Sequence, residues 1–216
     1  MSLTEAQSVF GSVHETALND LLKAFFSARP RFLNYGSSSL FPPGTPLIPI
    51  PPIPFPGIPA GIAIGIHFAI PTIDIHPDNS GGRSPLTPNP GQFIIHTTVT
   101  LLIGCFRYYA GPKDRGAIAP LSTQLDVFAS GSLYSTNIGT GAGVIGFLID
   151  KIELVDVKPD SLESLLECMI RMMLQGVLSN IQIPIESMML GAIPFPMVLA
   201  RGPLAETDML KVFANV

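Results

Sequence analysis

Charged side chains are scarce in this sequence. Asp, Glu, Lys and Arg make up 13% of the 216 residues, whereas apolar residues make up 47%. A globular domain usually has about a quarter of its residues charged, so these charges are too few to cover an ordinary monomer. We therefore expect a partner subunit, a hydrophobic ligand or a membrane surface to cover part of the apolar area.

Basic residues and cysteines are also few. The 12 Lys and Arg are spread thinly in a chain of net charge −4, which argues against a nucleic-acid partner. The two cysteines, Cys105 and Cys168, are too few for a disulfide scaffold and fit a reducing compartment. The start, MSLTEAQSVF, lacks the basic and apolar parts of a secretory signal. We expect a cytoplasmic protein, or one exported without a classical signal peptide.

A long proline-rich segment lies in an uncharged part of the chain. The stretch from Phe32 to Ile73 exceeds the ~20 residues of a membrane-spanning helix. Nine prolines between Pro42 and Pro59 prevent a helix there, which excludes a spanning segment. We expect the hydrophobic proline-rich arm, residues 40–61, to pack on its own chain or on a neighbouring subunit, in preference to binding a proline-reading domain.

The apolar periodicity predicts a helix near the N-terminus. Ser2 and Glu5 have capping-box spacing, and Pro30 should end the helix at Arg29. Its apolar stripe consists of Phe10, Val13, Ala17, Leu18, Leu21, Leu22 and Phe25.

A second, longer helix is predicted from Leu162 to Ile181. Asp160 and Glu163 have capping-box spacing at its start, and Pro184 stops it. Its apolar residues recur at i, i+3 and i+4 without a gap, as in a helix with one buried face. The opposite, polar side is traced by Glu163, Glu167, Arg171 and Gln175, with Glu167 and Arg171 placed for an ion pair.

Strands are predicted between and after the two helices. They cover residues 62–76 with a bend at Pro71, 92–109, 121–135 and the segment VIGFLIDKIELVDV, followed by 193–200 and 209–216. Residues 78–91 are predicted to form a polar, flexible loop. Because no helix separates the successive strands, we expect an antiparallel meander and an α+β fold class.

The chain lacks recognisable sets of catalytic or metal-binding residues. GAGVIG resembles a dinucleotide fingerprint, but a strand rather than a helix follows it, so a hairpin turn is favoured. Asp74, His76 and Asp78 alternate and could hold a metal ion on one strand face, although a solvated strand end explains them better. The remaining histidines, His14, His67 and His96, have no acidic or thiol partner at a meaningful spacing. We expect no enzymatic activity, no cofactor and no metal.

The apolar material of the second helix is the best candidate for a binding site. Methionine is flexible and polarizable, which suits a groove whose occupant varies in shape. The helix also widens its apolar arc with Cys168, interpreted as a buried apolar residue, and with Met172 and Gly176; Met188 and Met189 follow just beyond it. The predicted ligand-binding residues are Leu166, Met169, Ile170, Met173, Leu174 and Val177, with Phe25 and Phe26 closing one end. An ordinary filled core is the alternative.

The order of elements resembles one half of a tubular lipid-binding (TULIP) protein, the superfamily of bactericidal/permeability-increasing protein. The resemblance is carried by HETALNDLLKAFF, by the helix Leu162 to Ile181, and by IQIPI and AIPFPMVLARGPLAETDMLKVFANV after it. It extends to bacterial members, including proteins encoded beside clostridial neurotoxins. It implies a single domain over residues 1–216, with a long, highly curved antiparallel sheet wrapped around the long helix. The proline-rich arm and the presence of only one half depart from the family pattern.

Two functions follow from these features. The resemblance and the apolar helix imply non-catalytic binding of a lipid or another hydrophobic ligand in an elongated groove. The alternative is a structural subunit of a toxin, secretion or phage-like particle, in which the core is filled and the proline arm makes a homo-oligomer or binds a partner protein.

Overall fold

The structure, a computed structural model, describes residues 7–57, 60–75, 84–107, 120–136, 143–155, 157–185, 198–206 and 208–215. The elements follow one another in the order β1 (Val9–His14), α1 (Glu15–Ala28), β2 (Asn34–Gly36), β3 (Ile48–Pro49), β4 (Ile53–Pro54), β5 (Ala60–Phe68), β6 (Thr72–Ile75), β7 (Gln92–Arg107), β8 (Leu121–Thr136), β9 (Val144–Leu154), α2 (Asp160–Leu178), β10 (Ile183–Pro184), β11 (Val198–Glu206) and β12 (Met209–Asn215). Two short 3-10 turns flank β2.

The chain forms two compact units. Unit 1 comprises Met1–Leu21, Thr72–His96 and Phe128–Val216, and unit 2 comprises Leu22–Pro71 and Thr97–Val127. Two helices and mostly antiparallel strands confirm the α+β class.

Unit 1 contains a three-stranded antiparallel sheet in the order β1-β12-β11. Val9 to His14 pair with Ala214 to Met209, and the ring of Phe10 lies 5.5 Å from that of Phe213. The prediction that the first helix begins near Ser2 is therefore wrong: α1 starts only at Glu15. The β-branched Val9 and Val13 favour an extended chain, and Gly11 weakens a helix. Pairing with β12 satisfies the backbone groups of these residues. Residues 2–6 lie outside the described part.

The second sheet of unit 1 has the strand order β10-β9-β8-β7, and β6 pairs with the first part of β7. Phe93 of β7 and Phe147 of β9 meet edge to face, with 5.7 Å between ring centroids. Gly131 of β8 leaves room for this contact, because a Cβ there would lie 2.5 Å from Phe93 Cζ. These strands and α2 supply much of the buried core of the unit.

The amino-terminal turns of α1 cover the other edge of β6. Asn19 donates from Nδ2 to the Ile73 carbonyl at 2.8 Å and accepts at Oδ1 from the Ile73 N–H at 2.7 Å. One turn earlier, Glu15 Oε2 accepts from the Ile75 N–H at 2.9 Å. Side chains of a helix thus replace a neighbouring strand along β6.

Unit 2 is built on β5, which pairs antiparallel with β7, β2 and β4. Strand β3 pairs with β2 in parallel, through Tyr35 with Ile48 and Gly36 with Pro49. The prediction of a purely antiparallel sheet is therefore wrong, because the proline-rich arm returns alongside β2 in the same direction. The buried Asn34 side chain links three segments, with bonds to the carbonyls of Pro30 and Pro46 and to His67 Nδ1.

Several predicted boundaries agree closely with the structure. The bend at Pro71 separates β5 from β6, and Val144 begins a strand, not the helix that a dinucleotide fingerprint needs. The predicted strand 193–200 and the turn after it are wrong in part, since β11 continues to Glu206 beside β12. Residues 193–197, and residues 78–83 of the predicted loop, lie outside the described part.

Candidate functional site

Helix α2 follows Pro159 and contains 19 residues, Asp160 to Leu178. Asp160 and Glu163 lie in its first turn, where their negative charges interact favourably with the positive end of the helix dipole. The predicted capping box is wrong, because Pro159 occupies the cap position and no side-chain hydrogen bond caps the helix. The predicted end at Ile181 is three residues too late, and a bond from the Ser179 N–H to the Gln175 carbonyl closes the last turn.

One face of α2 is buried against β9. It is formed by Leu166, Ile170, Leu174, Val177 and Leu178. Their spacing of three and four residues gives a continuous row on a helix of 3.6 residues per turn. Ile149, Ile152 and Leu154 of β9 are also buried. This burial fixes one side of the helix to the sheet.

A polar row of α2 lies along the edge of β9. Gln175 Nε2 donates to the Phe147 carbonyl at 3.1 Å, and Gln175 Oε1 accepts from the Ile149 N–H at 2.8 Å. Arg171 Nη2 donates to the Ile149 carbonyl at 3.0 Å. Among the described residues, β10 pairs with Ile145 and Val144, and beyond these two residues the helix side chains bond to the β9 backbone. The polar side predicted for Arg171 and Gln175 thus supplies hydrogen bonds to the β9 backbone, although Arg171 is also exposed.

The remaining flank of α2 is apolar and open. Leu165 is 57% exposed, Met172 63% and Leu162 41%. Met169 and Met173 lie between these residues and the buried face, and both are half-buried. A Cβ placed on Gly176 would meet no atom within 4 Å, so the surface is also open one turn beyond Met172. The helix thus presents an apolar flank, defined as Leu162, Leu165, Met169, Met172 and Met173.

Three carboxylates gather near the start of α2. Oxygens of Glu153, Glu163 and Glu167 lie within 4.8 Å of one another, close enough to share a metal ion. Burial raises the pKa of Glu167, and the charges of Glu153 and Glu163 raise it further. A hydrogen bond from the Leu154 backbone and the charge of Lys151 oppose that rise. Lys151 Nζ also lies 3.1 Å from Glu153 Oε2, which partly neutralises the group.

The eight predicted ligand-binding residues fall into both units. Leu166, Ile170, Leu174 and Val177 belong to the buried face of α2, and Met169 and Met173 belong to its apolar flank. Phe26 of unit 2 is buried. The Phe25 ring stacks on Phe32 at 5.7 Å, and its centroid lies 5.2 Å from Arg29 Cζ. Their contact with a ligand stays a prediction.

The residues considered for metal or catalytic chemistry have ordinary contacts where they are described. His14 Nδ1 lies 3.1 Å from Thr16 Oγ1, and His96 stacks on Phe128 at 4.5 Å. Asp74 lies in β6, whereas His76 and Asp78 lie outside the described residues. Cys168 is exposed, so its interpretation as a buried apolar residue is wrong. No helix in the described ranges has the length and hydropathy to cross a bilayer.

The chain was compared with protein families, with curated proteins and with solved structures. No family model matches the chain, and no curated protein matches it. The chain is similar to a crystal structure of lipopolysaccharide binding protein, with a TM-score of 0.37 and 14% sequence identity. The match covers 100% of this chain and 45% of that one, so this chain spans less than half its length.

The sequence did not predict that Asn19, Arg171 and Gln175 bond to the backbone of edge strands. The signal for the last two was a polar row at i and i+4 beside the buried stripe. A solvated helix face gives the same pattern, and only the position of β9 distinguishes the two.

Proposed function

We propose that the chain binds a lipid or another hydrophobic ligand without catalysis, and that the apolar flank of α2 contacts this ligand. The observation that carries the proposal is the exposure of Leu165 and Met172, 57% and 63%, on a helix already anchored by its buried face. Five apolar side chains side by side on one flank leave more apolar surface open than scattered exposed residues do.

The chemistry of the flank suits an apolar occupant of variable shape. Three of its five residues are methionine, whose side chain adapts to different partners. Each methylene of an acyl chain buried there contributes about 0.8 kcal/mol. Within the described part of the flank no charged side chain interrupts these residues, so recognition would depend on burial more than on polar contacts.

The finer architecture belongs to the same proposal. In a TULIP-like arrangement the sheet would curve around α2, and Leu166, Ile170, Leu174 and Val177 would face an elongated inner cavity. A ligand could then lie on the open flank or behind the helix. The variants below separate these two positions.

A fluorescent palmitate analogue tests the proposal on the full chain. We expect saturable binding by the unchanged protein and at least a tenfold loss of affinity for the double variant Leu165→Ser, Met172→Ser, since two apolar contacts of about 1 kcal/mol or more are lost. Leu148→Ser is the matched control, because Leu148 is an exposed apolar residue of β9. Exposed substitutions of this kind should leave folding intact.

Three outcomes would overturn parts of the proposal. Unchanged affinity in the double variant would show that the apolar flank does not bind the ligand, and would place the ligand behind α2. Equal losses in the control would show a general effect of surface polarity. An oligomer by native mass spectrometry, with no co-purifying lipid and no palmitate binding, would favour the assembly subunit instead.

A further inference from the structure

The proline-rich arm of unit 2 ends in an exposed apolar hairpin. Strand β4 pairs with the start of β5 through Ile53 with Ile62 and Pro54 with Gly61. Beyond this pair, the Phe55 N–H donates to the Ala60 carbonyl at 2.8 Å. Ile53 is 55% exposed and Phe55 43%. We define the hairpin tip as Pro51 to Gly57; it contains no charged residue.

The base of the hairpin tip is held firmly on the sheet. Gly61 allows the close approach of the two strands, because a Cβ there would lie 2.4 Å from the Ile53 carbonyl oxygen. The same strand β5 is paired on its other side with β7, where Ala60 is opposite Arg107. A paired base keeps Ile53 and Phe55 exposed instead of letting them fold back onto the unit.

The backbone of the tip is unusually poor in hydrogen-bond donors. Four of its seven residues are prolines, which have no N–H. Of the three remaining donors, that of Phe55 is bonded to Ala60, and Ile53 is part of the ladder with Ile62. Unpaired backbone N–H and C=O groups are the main obstacle to placing a non-helical segment in lipid, and prolines remove the N–H part of that cost. This tip therefore enters an apolar phase at a lower cost than an ordinary loop.

Unit 2 has the charge that attracts an anionic surface. Its two segments contain six Lys and Arg but only two Asp, a net charge of +4, although the whole chain is −4. No acidic residue occurs between Asp20 and Asp74, and Lys23, Arg29 and Arg31 are exposed within that interval. Opposite charge brings the unit to such a surface, and added salt weakens that attraction.

From these observations we propose that the hairpin tip docks unit 2 on an anionic lipid bilayer, with Ile53 and Phe55 inserted at the interface. The bilayer is favoured over a protein partner because the tip is uncharged, donor-poor and attached to a basic unit. The site is separate from the apolar flank of α2, which lies in unit 1.

Co-sedimentation with vesicles tests this docking. We expect the full chain to bind vesicles of phosphatidylcholine and phosphatidylglycerol in equal parts, and to bind phosphatidylcholine alone at least tenfold more weakly. The double variant Ile53→Ser, Phe55→Ser should lose at least tenfold. Ile70→Ser is the matched control, because Ile70 is exposed in the same unit beyond the opposite end of β5. If the Leu165→Ser, Met172→Ser variant still binds the anionic vesicles, this docking does not depend on the proposed ligand site on α2.

A fluorescence measurement does not depend on loss of binding. The chain has no tryptophan, so Phe55→Trp introduces a single reporter at the tip. Its emission should shift to shorter wavelength with anionic vesicles and be quenched by brominated acyl chains, whereas Ile70→Trp should change little. Equal binding by the double variant, or an unshifted Phe55→Trp emission on bound vesicles, overturns the proposal. The proposal is also overturned if the unchanged protein forms an oligomer and binds no vesicles, and if the double variant no longer forms that oligomer. The hairpin tip would then contact another protein chain.

Discussion

At the scale of single residues, Tyr35 is a phenol held away from water. It lies in β2, is buried, and meets Phe68 edge to face at 5.8 Å. Burial disfavours the charged phenolate and raises the pKa of Tyr35 from 10.0 to about 12. The folded state therefore keeps its proton over a range in which the unfolded chain has lost it.

This shift predicts a loss of stability in alkali. Because the pKa of the folded state is the higher one, the contribution is complete below pH 10.0 and is lost as pH rises towards about 12. The free energy of unfolding should fall by roughly 1 kcal/mol more in the unchanged protein than in Tyr35→Phe for each pH unit in this window. Urea unfolding at several pH values measures the difference. Parallel curves for the two proteins would contradict the assignment.

Glu167 gives a second pH-dependent prediction, with the same sign as that for Tyr35 but at lower pH. Its raised pKa means that the folded state binds a proton more tightly than the unfolded state, so stability falls as pH rises through that pKa. Glu167→Gln should raise the melting temperature at neutral pH, and the gain should vanish below the ordinary value of 4.5. Thermal unfolding at both pH values checks this. An equal gain at both would mean that the substitution acts through packing.

At the scale of elements, α2 is attached to β9 through its side chains as well as its apolar face. The amide of Gln175 bonds to the Phe147 carbonyl and the Ile149 N–H. A neighbouring strand would bond the same two groups on either side of Leu148. One side-chain amide therefore takes the place of the N–H and C=O that one residue of a neighbouring strand would supply.

Removing this amide should loosen the contact between α2 and β9. Gln175→Ala leaves two backbone groups without their partner, and we expect a loss of about 1–3 kcal/mol in the free energy of unfolding. Faster amide exchange at Ile149 should accompany it. Gln182→Ala is the matched control, because Gln182 is exposed beyond the helix. A loss as large in the control, or unchanged exchange at Ile149, would show that the amide does not hold the helix.

The elements differ in how far the sequence predicts them. Helix α2 and strands β5 to β9 were predicted closely, because long periodic stripes and the bend at Pro71 are local signals. The start of α1 was predicted too early, because Phe10 and Val13 fit a helical stripe as well as a strand, and only pairing with β12 decides. Leu165 likewise fits the i, i+3 and i+4 spacing of the apolar residues of α2, yet it is exposed. Local spacing does not reveal which neighbour covers a residue.

At the scale of the whole molecule, charge is separated between the two units. Unit 1 contains six Lys and Arg and 14 Asp and Glu, a net charge of −8, whereas unit 2 is +4. The composition of the whole chain gives only the sum of −4, with basic residues spread thinly. The separation emerges when residues 22–71 and 97–127 come together, which composition alone does not show. The expectation of one domain over residues 1–216 stays a prediction.

The helix side chains that bond to strand edges also affect how copies of this chain meet. An open edge strand can recruit another chain into the sheet, which is a common start of aggregation. In unit 1, Asn19 and Glu15 occupy the free edge of β6, and Gln175 and Arg171 occupy that of β9. Both helices therefore block the addition of another strand at these sheet edges. This matters in a chain that has few charged residues to oppose aggregation.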